Sequence, residues 1–178
     1  AIDRGAVSTI DPSFDEVDFN TYVAQKLRDK LVAAGATVIM IREDENPINM
    51  SLYERSVIAN SNNADAFIEI HGDSAGSSAS GIGTWAYIDS ARLTSSAQVD
   101  MRNEFASVMN QALNGATGEP AYVKYGNFSV IRETEVPCVL IECGFLSNAH
   151  DLALLKSEAY WEKLAQGMYN GLYNFFSY

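Results

Sequence analysis

The sequence predicts an α/β fold: a single domain with a mostly parallel twisted sheet and helices on both faces. Three observations carry this. Strand-like and helix-like stretches alternate along the chain, the order that produces parallel sheets. The strand-like runs, such as TVIMI and PCVLI, are nearly continuous in apolar residues, as strands covered on both faces are. The 178 residues, 47% hydrophobic and 20% charged, suit one domain with a sizeable core.

Residues 13–35 read as a helix, with Ser13 and Glu16 as an S-x-x-E capping box. Phe19, Val23, Leu27 and Leu31 recur every four residues, and Gly35 supplies the stop. TVIMI, residues 37–41, reads as a buried strand, and 51–61 as a helix. A strand lies within 64–73 and is ended by Gly72; GIGTWAYI, 81–88, is a third. Residues 97–113 form a helix with Met101, Phe105, Met109 and Leu113 on one face. FSVIR, 128–132, reads as a short strand and PCVLIE, 137–142, as the last one. Two helices, about 151–156 and 158–176, close the chain. SAGSSASG, 74–81, is a loop of small residues directly after a strand end. Cys138 and Cys143 lie too far apart along one strand for a disulfide and are expected as buried free thiols.

The net charge is −11, with 23 acids against 12 bases. Scattered bases in an acidic chain argue against nucleic acid and anionic membrane surfaces, which call for basic patches. No apolar run reaches the roughly 20 residues of a membrane span, and the opening AIDRGAV has neither the basic start nor the apolar stretch of a signal peptide. Membrane insertion is not expected, and the chain is expected to be a monomer.

In open α/β sheets, sites lie beyond the carboxyl ends of strands. Two strands here end on polar residues, His71 and Glu142. His71 is either a metal ligand or a hydrogen-bonded core residue. Glu142 is either a general base with a raised pKa or a buried acid paired with Arg132 or Arg55. Glu69 shares a strand face with His71 and could be a ligand, a supporting carboxylate or an ion-pair partner. Glu16 sits on the stripe of the first helix with Asn20, Val23, Leu27 and Leu31; its position alone favours a capping role. Together these residues suggest a hydrolytic zinc site, which uses three protein ligands and one open position. His150, in SNAHD, reads as surface.

Three blocks carry a resemblance over nearly the whole chain. EVDFNTYVAQKL, 16–27, is similar to a helix start of the pattern E-K-D-x-N-L. LYERSVIANSNNADAFIEIHGDS, 52–74, is similar to L-x-x-R-x-x-x-A-N…A-D-x-x-x-S-I-H-A-N. FSVIRETEVPCVLIECGFLSN, 128–148, is similar to F-x-V-L-R…P-x-V-L-x-E-x-G-F-x-S-N. In order and spacing, the chain resembles the zinc-dependent N-acetylmuramoyl-L-alanine amidases of type 3. The resemblance implies a peptidoglycan hydrolase acting outside the cytoplasm, secreted or associated with the cell wall, on a glycan-peptide substrate. It implies Glu16 and His71 as zinc ligands and Glu142 as the base for a zinc-activated water. Arg132 and Asn148 would support the site. The cleaved bond would join the lactyl group of N-acetylmuramic acid to L-alanine.

The chain also departs from the pattern. The family's first zinc histidine belongs to G-H-G-G-x-D-x-G-A, and here Asp3, Gly5 and Ala6 match its tail. On that alignment the histidine and the first strand would lie before Ala1; a second alignment puts Ala6 at the ligand position. Glu69 stands for the usual Ser, Asp73 for Asn and Val17 for Lys. The stretch 74–97 is too short for a long inhibitory helix. The missing histidine motivates an alternative: a metal-deficient, non-catalytic wall-binding module on the same fold. A site rebuilt from Glu69 or His150 is a third reading.

Overall fold

The computed structural model describes residues 4–46, 48–89, 93 and 95–177. Their elements are α1 (Val17–Ala33), α2 (Leu52–Ser61), β1 (Phe67–Asp73), β2 (Ile82–Ala86), α3 (Ser96–Thr117), β3 (Ala121–Tyr125), α4 (Ser129–Glu133), β4 (Cys138–Phe145), α5 (Ala149–Leu155) and α6 (Glu158–Phe176). The sheet order is β1-β4-β2-β3. β1 runs parallel to β4 and β2 parallel to β3, while β2 and β4 are antiparallel. The mostly parallel sheet and the helices therefore follow the expectation.

Alternate residues of each strand face opposite sides of the sheet. One side carries Ile82, Ala86, Val139, Ile141 and Cys143 into the main core, with α1, α3 and α6. The helix stripes read from the sequence supply Phe19, Val23, Leu27, Phe105, Met109 and Leu113 to it. α6 approaches α3 closely where its glycines fall: a Cβ at Gly171 would stand 2.6 Å from Met109 Sδ and 3.1 Å from Met109 Cα. The other side of the sheet holds a smaller cluster with Cys138, Leu140, Val130 and Ile131. Both cysteines are buried and free, as their spacing required.

Several local readings need correction. The Ser13–Glu16 capping box does not form; α1 starts one turn later with Glu16 as its N-cap and no side-chain cap, and Ser13 bonds Asp11 instead. The capping box sits on α2, between Ser51 and Glu54. Residues 128–132 are not a strand: Ser129–Glu133 is one helical turn after Phe128, and Val130 and Ile131 are buried by helical spacing. The missed strand is AYVKY, Ala121–Tyr125, whose alternation of intermediate and exposed residues suits a sheet edge.

Another correction concerns TVIMI, which forms no strand, and Ile39 is 53% exposed. It lies across a cavity of about 800 Å³ from β1, lined by residues of α1, α2 and β1 as well as 36–42. Without a neighbour to complete a ladder, β-propensity alone does not make a strand. The strands also outrun their expected ends: β1 runs through Gly72 to Asp73 and β4 through Glu142 to Phe145, so neither His71 nor Glu142 closes its strand. Asp3 lies outside the described residues.

Asp151 fixes the rim at the end of β4. Its buried Oδ2 accepts from the Gly81 N–H and the Phe145 N–H, both at 2.9 Å. Asp151→Ala would strand two buried donors, at roughly 1–3 kcal/mol each. A loss of about 2–5 kcal/mol in denaturant unfolding is expected, and Asp151→Asn, which keeps one acceptor oxygen, should lose clearly less.

Candidate functional site

The site forms where β1 and β4 end side by side. Their parallel register pairs His71 with Glu142 and Glu69 with Leu140. Paired residues project to one face, so Glu69, His71 and Glu142 lie together there. Glu16 arrives from the first turn of α1. The segment before that helix is latched by Arg4 to Asp15 and Asp18 and by Ser8 Oγ donating to the Leu146 carbonyl at 2.7 Å.

That latch builds a cradle for the Glu16 carboxylate. Ala6 N–H donates to Glu16 Oε2 at 3.0 Å, and the Glu16 N–H returns a bond to the Ala6 carbonyl at 2.9 Å. Gly72 N–H and Asn20 Nδ2 each reach Oε1 at 3.4 Å. Gly5 has φ 77°, and a Cβ there would stand 2.1 Å from Glu16 Oε2. Only glycine meets both demands.

His71 lies between two carboxylates. Its Nδ1 is 2.6 Å from Glu16 Oε1 and its Nε2 2.9 Å from Glu69 Oε2. Arg55 reaches the same Glu69 oxygen at 3.3 Å. Burial disfavours charge on the imidazole, but hydrogen bonds to Glu16 and Glu69 outweigh it and push the pKa up to about 10. Both ring nitrogens then donate.

Glu142 has a different environment. Its Oε2 is buried with no hydrogen-bond partner among the described residues. Burial pushes its pKa up to about 7; the His71 charge works against that shift, and Asp73 and Glu16 reinforce it. A carboxyl group with that pKa can both take and give a proton near neutrality.

The sequence readings thus converge for Glu16, His71, Glu69 and Glu142. Arg55 pairs with Glu69 and not with Glu142. Arg132 bonds Glu133 and Asn127, and Asn148 caps α5 while donating to the Ser77 carbonyl. His150 pairs with Glu119 at the surface. As metal donors, Glu16 and His71 suit zinc, one oxygen and one nitrogen already adjacent. Among the described residues no group of three His, Cys, Asp or Glu side chains could hold a metal.

A family profile described as N-acetylmuramoyl-L-alanine amidase matches residues 1–174. The chain belongs to that family. Among curated relatives, YqiI of Bacillus subtilis, an uncharacterized protein, is 34% identical over 98% of this chain and 79% of its own length. LytH of Staphylococcus aureus, a probable cell wall amidase, is 32% identical over 98% of this chain, which spans 55% of LytH. Among solved structures, the catalytic domain of the amidase CwlV from Bacillus (Paenibacillus) polymyxa var. colistinus is 34% identical, with TM-score 0.82 over 98% of this chain and 91% of that one. CwlD of Clostridioides difficile, solved with the GerS lipoprotein, is 28% identical with TM-score 0.86, over 99% and 93% of the two chains.

Sequence reasoning missed the Gly5–Ala6 cradle as a support for Glu16 and missed Arg55 as the partner of Glu69. The three-residue interval that suggested a cap concealed the first; only tertiary register reveals the second.

The clamp on His71 gives a pH signature in the metal-free protein. Because its pKa is raised above the ordinary value of about 6.5, its contribution to stability is full below that pH and fades as pH rises through about 10. NMR of the imidazole should show a midpoint far above 6.5, and Glu69→Gln should move it down.

Proposed function

We propose that this chain is a peptidoglycan hydrolase that cleaves the amide between N-acetylmuramic acid and L-alanine. The observation that carries the reading is Glu142. In a chain of this family, a buried carboxyl group with an oxygen unpartnered among the described residues stands on β4 beside His71. Glu16 and His71 would hold a zinc ion, with a further donor from outside the described residues. When bound, zinc would polarise the amide carbonyl as a Lewis acid and make water nucleophilic at neutral pH.

The chain's own groups would do the rest. Glu142 takes a proton from the attacking water as the new C–O bond forms at the lactyl carbonyl. It then passes that proton to the departing nitrogen as the C–N bond breaks, leaving a carboxyl group on the sugar and a free amine on L-alanine. Burial keeps its affinity for the proton near neutrality in both directions. Glu69 and Arg55 fix the far side of the His71 ring.

We infer action outside the cytoplasm, because the substrate lies there and a relative of this chain is a probable cell wall amidase. Among the described residues no helix is long and apolar enough to cross a membrane. A second reading, a wall-binding module without metal, is favoured by one observation: the described donors number two, Glu16 and His71, where a hydrolytic zinc site uses three.

Metal analysis and amine release from purified peptidoglycan separate the two. The amidase reading expects bound zinc, loss of release with a chelator, and less zinc in Glu16→Ala and His71→Ala. Glu142→Gln should cut turnover by about 10²–10⁴-fold with zinc retained. Parental turnover in Glu142→Gln would remove the role given to Glu142. Wall binding with neither zinc nor amine release would select the second reading.

A further inference from the structure

The sheet face that carries His71 and Glu142 continues onto β2 and β3. The register aligns His71, Glu142, Gly83 and Tyr122 in one row across the four strands. The adjacent row is Glu69, Leu140, Trp85 and Lys124. Residues so aligned project to the same side. Trp85, Lys124 and Tyr122 therefore share the face with Glu142, and the reaction derived above uses none of them.

Gly83 lies buried among them. A Cβ there would stand 3.2 Å from Trp85 Nε1, 3.6 Å from Glu142 Cβ and 3.7 Å from Lys124 Cδ. The glycine thus lets the Trp85 indole lie close against the strand, where a side chain would crowd it. The surroundings are aromatic: Phe128 meets Trp85 edge-on with ring centroids 5.1 Å apart, and Tyr122 is exposed.

Two donors on this face have no hydrogen-bond acceptor among the described residues. The Lys124 ammonium lies 5.2 Å from the Trp85 ring centroid and 5.7 Å from that of Phe145. Those ring contacts hold the cation in place; its charge acts on Glu142, favouring the ionised carboxylate, yet among the described residues no carboxylate comes within ion-pair distance of it. Trp85 Nε1 is buried and has no hydrogen-bond partner among the described residues. A buried donor without an acceptor costs free energy that a ligand oxygen would recover. The ligand group that satisfies an ammonium and an indole N–H together is an anionic oxygen acceptor.

We propose that Lys124, with the Trp85 N–H beside it, receives a carboxylate of the peptide on the amine side of the cleaved bond and so positions the substrate. The inference rests on the amidase reading. The carboxyl group of N-acetylmuramic acid is consumed in the scissile amide, so a free carboxylate near Glu142 comes from the peptide. The peptide then runs from Glu142 across Gly83 towards β3, and the glycan leaves on the His71 side. Lys124 is a specificity-determining residue; Glu142 keeps the chemistry.

The test compares a soluble muramoyl peptide bearing free carboxylates with the same compound converted to its primary amides. Affinities are measured by calorimetry in the Glu142→Gln background, so that binding is read without cleavage. The free form should bind about tenfold more tightly, and the preference should shrink as salt rises. Lys124→Gln should abolish the preference and Lys124→Arg should keep it, with circular dichroism showing both variants folded. Equal affinity for the two forms, or a preference that survives Lys124→Gln, overturns the inference. If the chain with Glu142 intact still releases amines from either form, the amidase reading survives that result. If neither form is bound or cleaved, both fall together.

Discussion

The grip of two carboxylates on the His71 ring is the interaction on which the rest depends. Glu16 comes from a helix start and Glu69 from the same strand as the histidine, so the ring joins α1 to the sheet. An isolated surface ion pair is worth little. Here the carboxylates are buried; Ala6, Gly72 and Asn20 donate to Glu16 and Arg55 to Glu69 Oε2, while Glu69 Oε1 has no hydrogen-bond partner among the described residues. A buried network of this kind favours one arrangement, because removing a member leaves further polar groups stranded. The helix start is given up as a conventional cap so that Glu16 can turn inward.

The sheet distributes roles by position. Next to the clamped imidazolium, Glu142 has few hydrogen-bonding neighbours, and its burial raises its proton affinity. Two carboxylates within one site thus follow opposite rules: Glu16 is surrounded by donors, while Glu142 is left without one on Oε2. Separating the proton affinities of neighbouring groups is a general way to assign holding and transfer to different residues. The overall charge of −11 provides no bulk attraction for an anionic polymer, which leaves recognition to local groups on this face.

Much of this was legible in the sequence, and the failures have identifiable causes. α1, α3 and α6 follow from their four-residue stripes, and β4 from an apolar run that a partner strand on each side requires. His71 and Glu142 stood out as polar residues late in apolar runs, and the parallel register then made them neighbours. The helix at Ser129–Glu133 was misread because five residues rich in β-branched side chains satisfy either period; tertiary contact with Cys138 and Leu140 decided it. TVIMI was misread for the opposite reason: its propensity was correct, but a strand exists only where another can pair with it. Glu16 exposed the limit of local rules, since a motif that explains a glutamate within four residues says nothing about a histidine 55 positions later. The pairing of Trp85 with Lys124 likewise appears only when the strands are aligned.

The large cavity behind β1 has a further consequence. Its wall includes Glu16, Glu69 and His71 but not Glu142. Space on the α2 side therefore reaches the residues that clamp the imidazole without reaching Glu142. A change in how 36–42 or α2 packs against β1 would be felt first at the clamp, and at the neighbouring carboxyl group only through the ring.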